Sequence, residues 1–304
     1  MIDDKRNRAH LLDPAELDAL GGLELVARAV VTGFISGLHS SPRRGFSVEF
    51  AEHRALRPGD DLRFVDWKMY GRSDRFFLKQ YEEETNLSAH VCLDVSGSMD
   101  WRSREEGLST KLEYARRLAA SLTLLLIRQG DLAGVICFAE RVLSRSPARG
   151  TLAHWTELVR QLAYQPPGQQ TAAERALEEV AARGQRRGLV ILVSDLLVDE
   201  AATQRMLSKL RHQGNEVLVF HILDPGELEL PSVGDAVFVD PESGDEIGVR
   251  SAELRSDYRE TVRSAMDGWR RVCGAQQIDY HPIATDQPLA LSLSEYLHTR
   301  SRLG

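Results

Sequence analysis

The chain has 304 residues, enough to bury a core as one large domain or as two modest ones. Its charge is mildly acidic, 38 Lys and Arg against 45 Asp and Glu, and no basic stripe or aromatic-basic interleaving appears, so a nucleic-acid role has no support. Three cysteines, Cys92, Cys137 and Cys273, lie far apart in apolar segments; the odd number argues against a complete disulfide framework and fits a reducing cytoplasm.

The amino terminus, MIDDKRNRAHLLDP, mixes charges and carries no apolar core, so no secretory signal is expected. From residue 14 to about 38, apolar residues recur at helical spacing and are broken by Gly21-Gly22, which reads as two short helices too polar and too short to cross a membrane. Residues 45–50 and 75–81 look extended, with an Arg-, Pro-, Gly- and Asp-rich loop containing Trp67 between them. Residues 1–86 are therefore expected to supply N-terminal helices and a small strand-and-loop appendage packed on a sheet.

Residues 87–304 read as an α/β domain. An apolar strand over 89–93 is followed by a helix opened by the capping box Thr110-Lys111-Leu112-Glu113 and running to Gly130. Next come a strand over 132–138, an edge strand over 141–146 closed by Pro147, and helices over 152–163 and 171–183. A strand ends at Asp195, Asp199 caps a helix to His212, and residues 217–223 form another buried strand. A hairpin insertion near 228–250, a long helix over 252–273, a last strand over 278–283 and a closing helix over 293–300 complete the chain. Strands alternating with helices at this spacing predict a doubly wound, mostly parallel sheet.

The chemistry concentrates in AHVCLDVSGSMDW, residues 89–101. A nearly continuous apolar strand is expected inside a parallel sheet, which places Asp94, Ser96 and Ser98 at its carboxyl end, where open α/β sheets bind ligands. Alternate residues there, with Gly97 relaxing the turn, aim one carboxylate and two hydroxyls at a common point, a donor set for a small hard cation. The bland alternative is a turn in which Asp and Ser bond their own backbone.

This D-x-S-x-S string resembles the metal-ion-dependent adhesion site of von Willebrand factor A domains. Such sites take two further ligands from later loops, and the resemblance assigns these to Thr171, in GQQTAAERAL, and Asp195. Thr171 also has a competing reading, since Thr171-x-x-Glu174 is itself a capping box. The segment EFAEHRALRPGDDLRFVDWKMYGRSDRFFLKQYEEET, residues 49–85, resembles the signature of a bacterial subgroup, the domain-of-unknown-function family fifty-eight, whose members are often encoded beside MoxR-type AAA+ ATPases. The resemblance implies a von Willebrand A or Rossmann-like fold. It also implies direct ligation by Ser96, Ser98 and Thr171, with Asp94 and Asp195 acting largely through water, and Gly where Leu196 follows Asp195. All candidate ligands are hard oxygens, so the expected ion is Mg²⁺, with Mn²⁺ as the alternative.

The function expected from this is a non-enzymatic, Mg²⁺-dependent protein-protein interaction module. Its partners would be a MoxR-type ATPase and a client bearing an acidic group. Two other readings stand beside it. One is a scaffold that uses the fold without metal. The other is a Mg²⁺-dependent phosphatase with Asp94 as nucleophile and Asp195 and Asp199 as later carboxylates; against it, such enzymes need a second Asp where this chain has Ser96, whose hydroxyl is a poor acid-base group. No G-x-S-x-G elbow supports a serine hydrolase. The acids Asp60, Asp61 and Glu82 to Glu84 read as solvated faces, and Arg57, Arg63, Trp67 and Arg72 as bracing of the appendage.

Overall fold

The computed structural model describes residues 22–39, 53–55, 77–79, 87–103, 108–168, 170–182, 188–229, 235–239 and 246–301. The expected first helix, the strand over 45–50, the loop with Arg57, Asp60, Asp61, Arg63, Trp67 and Arg72, the acids Glu82 to Glu84 and the hairpin's own turn lie outside these residues.

In chain order the elements are helix α1 (Leu23–His39), strands β1 (His53–Ala55), β2 (Phe77–Lys79) and β3 (Ser88–Asp94), and helix α2 (Lys111–Arg128). They continue with β4 (Leu132–Phe138), β5 (Val142–Arg149), α3 (Leu152–Tyr164), α4 (Ala173–Ala182), β6 (Leu189–Ser194) and α5 (Glu200–His212). The remainder is β7 (Glu216–Leu223), β8 (Asp235–Val239), β9 (Glu246–Arg250), α6 (Ser251–Ala275), β10 (Asp279–Ala284) and α7 (Leu289–Ser301). Contacts divide the chain into two units, Met1–Gly37 with Leu87–Gly304, and Leu38–Asn86. Within the smaller unit β1 and β2 form an antiparallel pair.

In the larger unit, six strands form one sheet in the order β10-β7-β6-β3-β4-β5, all parallel except β5, which runs antiparallel to β4. Renumbered by sequence within this sheet, the order is 3-2-1-4-5-6, the doubly wound arrangement of Rossmann-type folds. The expected von Willebrand A or Rossmann-like class is what the chain forms. The order reverses between β3 and β6, so the ends of these two neighbouring strands flank the crevice in which such sheets bind ligands.

Each sheet face carries its own core because successive strand residues point to opposite sides. Val91, Leu93, Val135, Ile191, Val193 and Phe220 pack on one face with residues of α1, α2, α3 and α7. On the other, Cys92, Ile136, Val190, Leu192 and Val219 pack with residues of α4, α5 and α6. The three cysteines are free and buried in these layers. Val26, Ala27, Val30, Val31 and Phe34 place the apolar stripe of α1 in the first core, so this helix belongs with the larger unit and not with the 38–86 segment. Arg28, on the same helix, lies 4.7 Å from the ring centroid of Trp155 on α3.

Several boundaries differ from expectation, α7 beginning at Leu289 rather than at residue 293, and two of the differences have a physical reason. β5 runs through Pro147 to Arg149, which an edge strand tolerates because one side needs no donor. Helix α4 starts at Ala173 rather than at Thr171, which leaves Ala172 at its cap position and releases Thr171 from that role. The capping box at Thr110 and Glu113 forms as expected, as does the cap of α5, where Asp199 accepts from the amide of Ala202 at 2.9 Å.

Candidate metal centre

β3 delivers Asp94 to the carboxyl end of the sheet, and the chain then enters a single 3₁₀ turn over Gly97–Asp100. Ser96 occupies the cap of that turn yet makes no side-chain capping bond, so its hydroxyl stays available. The Ser96 and Ser98 hydroxyls lie 3.1 Å apart and are buried with Asp94. Asp94 is divided between two tasks. Its Oδ1 accepts the amide of Ser96 at 3.0 Å, the local turn anticipated as the bland reading. Its Oδ2 accepts the hydroxyls of Thr171 at 3.0 Å and of Ser194 at 2.6 Å, so the carboxylate also binds two other loops. Gly97 makes no use of left-handed backbone; among the described residues the non-glycine positions that do are Leu196, φ 57°, and Gln277, φ 56°.

The loop carrying Thr171 is pinned beside this turn. Gly168 donates its amide to Val95 O, and a Cβ on it would stand 2.3 Å from that of Ala139, so only glycine fits this approach. Thr171 thereby faces Asp94 from the loop before α4, while Asp195 enters from the end of β6 next to β3. Asp195 makes no hydrogen bond to the hydroxyl cluster; it is close enough for its charge to act on Asp94. Burial, and after it the facing Asp195, push the Asp94 carboxyl up to about 6, against smaller opposing effects of the Ser194 and Ser96 hydrogen bonds.

Two residues that sequence reasoning passed over complete the centre. Ser194 precedes Asp195 and holds both Asp94 and the amide of Leu196, the latter at 3.0 Å. Lys111, fully buried at the start of α2, donates to Asp195 Oδ2 at 2.8 Å and also to Glu227 in the helical turn after β7. Burial would lower the Lys111 pKa, but the Asp195 and Glu227 carboxylates outweigh it and hold the ammonium above its ordinary value. One signal pointed to Lys111: a lysine in the first turn of a helix meets the end of the dipole that disfavours cations, and so needs an anionic partner. Asp195 Oδ1 accepts the amide of Leu197 at 3.3 Å, so both of its oxygens are engaged. Leu196 is buried in left-handed backbone, a conformation held at this loop against its ordinary steric cost.

The donor set fits a hard divalent cation. Three hydroxyls and two carboxylates from three separate loops converge, two acids share one buried site, and the Asp94 charge calls for compensation. Among the described residues no three His, Cys, Asp or Glu side chains cluster as a metal site would, so any such ion would rest on hydroxyls here. His221 donates to the backbone of Asp195 and pairs with Tyr280 at 2.6 Å, a buried core histidine whose pKa burial lowers to about 4.

Among known proteins, an uncharacterized protein of Mycobacterium tuberculosis is 28% identical over 97% of this chain and 93% of its own length. The crystal structure of the conserved hypothetical protein BatB from Bacteroides thetaiotaomicron is 18% identical, covers 71% of this chain and 99% of its own, and has a TM-score of 0.48. A von Willebrand factor type A structure from Catenulispora acidiphila is 19% identical over 58% of this chain and 42% of its own, with a TM-score of 0.36. The family model described as protein of unknown function DUF58 matches residues 52–267, and the chain belongs to that family.

Proposed function

We propose that this protein is a non-enzymatic interaction module that binds Mg²⁺, with Mn²⁺ as a substitute, through Asp94, Ser96, Ser98, Thr171 and Asp195, and that it recognises partner proteins at this centre. The observation that carries the reading is the Thr171 hydroxyl on Asp94, which brings a distant loop onto the hydroxyl pair at the switch point of the sheet. Mg²⁺ bound there would supply a positive charge with a coordination position for an acidic group of the partner. Its shell would be rich in neutral hydroxyls, which leave that charge incompletely balanced.

Two observations favour a binding role over the phosphatase. Asp199, the second later carboxylate of that reading, is a helix cap. Ser96 stands where an acid-base carboxylate would be needed. The partner we infer is a MoxR-type AAA+ ATPase, on the resemblance of residues 49–85, with the pair acting in remodelling or assembly of a client that bears the acidic group. Three buried free cysteines suit a cytoplasmic site of action. Among the described residues no helix is long and apolar enough to cross a membrane.

The test is a pull-down with a MoxR-type ATPase, using wild type with Mg²⁺, wild type with EDTA, and Thr171→Ala with Mg²⁺. Loss of this hydroxyl's bond to the Asp94 carboxylate should cost folding about 1.5–3 kcal/mol. Partner recovery should require both the ion and Thr171. Equal recovery in all three samples would remove the centre from the interaction.

A further inference from the structure

The least expected group at the centre is a buried ammonium. A site that binds a cation would be expected to leave its carboxylates free for it, yet Lys111 takes Asp195. The side chains of Lys111 and Asp195 are each 1% exposed and Glu227 is 23% exposed, so this is an interior ion triad and not a surface pair. Lys111 is fixed from several directions. Its amide donates to Trp101 O at 3.1 Å, its ammonium lies 6.0 Å from the Trp101 ring, and it opens a capped helix. Glu227 is fixed as well. Its Oε2 accepts the amide of Asp224 at 2.9 Å, and Asp224 in turn accepts the amides of Ser103 at 3.0 Å and Gly226 at 2.7 Å. The triad is therefore a built support rather than a chance approach of flexible side chains.

We infer that Lys111 is the positioning residue that keeps the metal centre short of negative charge. By holding Asp195 Oδ2, it denies this oxygen to the ion as a direct ligand and leaves Asp195 to act through water, so the ion's unbalanced charge is left for an anionic group of the partner. This rests on the Mg²⁺ reading above. The physical consequence is a trade-off. Ligand charge count sets the affinity of oxygen sites for divalent cations, so a freed Asp195 would tighten the hold on Mg²⁺. The same neutralisation would weaken the attraction for any external carboxylate. Lys111 thus exchanges strength of metal binding for strength of partner binding, and a purely structural lysine would not move the two in opposite directions.

The full chain would be titrated with Mg²⁺ by calorimetry, and the Mg²⁺-loaded chain with acetate by protein NMR. Lys111→Met tests the idea directly but leaves two buried acids without their cation, which endangers folding. Lys111→Met/Glu227→Gln removes the cation and one acid together, so the triad keeps its net charge of −1 and only Asp195 is released. In this double variant the Kd for Mg²⁺ should fall at least about tenfold while that for acetate rises at least about tenfold, the effect of one added ligand charge. Weaker binding of both, or no change in either, overturns the inference while leaving the Mg²⁺ reading in place. Absence of Mg²⁺ binding by wild type overturns both. A second measurement needs no variant. Peptide mapping after treatment with an amine-acylating reagent should find Lys111 equally protected with and without Mg²⁺; exposure on adding Mg²⁺ would mean that Asp195 leaves the lysine for the ion, contrary to the assignment.

Discussion

Replacing Asp94 by Asn should stabilise the metal-free protein at pH 8, although Asp94 accepts hydrogen bonds from Ser96, Thr171 and Ser194. The carboxyl is wholly buried, and burial together with Asp195 raises its pKa from 3.8 to about 6. At about 1.36 kcal/mol per pH unit, keeping it ionised in the fold costs about 3 kcal/mol relative to the unfolded chain. The sign follows from the raised pKa: the fold keeps a proton that the unfolded chain releases, so this group's contribution is greatest below pH 3.8 and is lost as pH rises through about 6. Asn carries no charge and retains one acceptor; poorer bonding at its amide nitrogen returns about 1–2 kcal/mol, leaving a net gain of about 1–2 kcal/mol. His221 runs the other way. Burial lowers its pKa from 6.5 to about 4, so its contribution is complete above pH 6.5 and lost as pH falls through about 4. The two slopes oppose each other between pH 4 and 6.5, and Asp94→Asn removes one of them, so the variant's stability relative to wild type should fall by about 3 kcal/mol as pH drops through that window. Urea unfolding in EDTA from pH 4 to 8 measures all of this. Repeating the pH 8 point with Mg²⁺ should raise wild type and leave the variant unmoved. A variant less stable than wild type at pH 8 in EDTA, or one with the wild-type pH profile, would refute the account of this carboxylate.

Leu196 and Asp199 supply two further tests. Leu196→Gly and Leu196→Ala both lose a buried side chain, but Gly also relieves the positive φ, so the Gly variant should be the more stable of the two by about 1 kcal/mol in urea unfolding; the reverse order would show that the loop repacks. Asp199→Ala should cost about 1 kcal/mol through the lost cap of α5 and leave the Mg²⁺ affinity unchanged, and a drop in that affinity on calorimetry would return Asp199 to the site.

What the sequence made legible follows from the range over which each signal acts. The four central strands, β3, β4, β6 and β7, announce themselves as short apolar runs, and their parallel direction follows from alternation with helices, because parallel pairing requires a crossover each time. Caps such as Thr110 and Asp199 are local patterns spanning three residues, and they hold. Starts set by tertiary contact are less visible. At Thr171 a capping box competes with a hydroxyl bond to Asp94 across 77 residues, and the distant bond wins, moving the helix start two residues on. Leu196 shows the same competition in the backbone: a leucine is a poor choice for left-handed φ, but its side chain is buried and the two residues before it anchor the site.

The candidate centre divides along the same line. Asp94, Ser96 and Ser98 are neighbours in sequence and could be read as one donor set. Lys111 could not, because its meaning depends on Asp195, 84 residues away, and on Glu227, 116 residues away. Locally Lys111 is the second residue of a capping box, and its place in the first turn calls for an anionic partner without saying which residue supplies it. Only when β3, β6 and β7 lie side by side do the start of α2 and the ends of two later strands meet, and the lysine becomes the interior cation of an acidic site. The electrostatic character of the centre is thus a property of strand order. A D-x-S-x-S string states which oxygens are present, while the buried ammonium beside them decides how much negative charge remains for an ion.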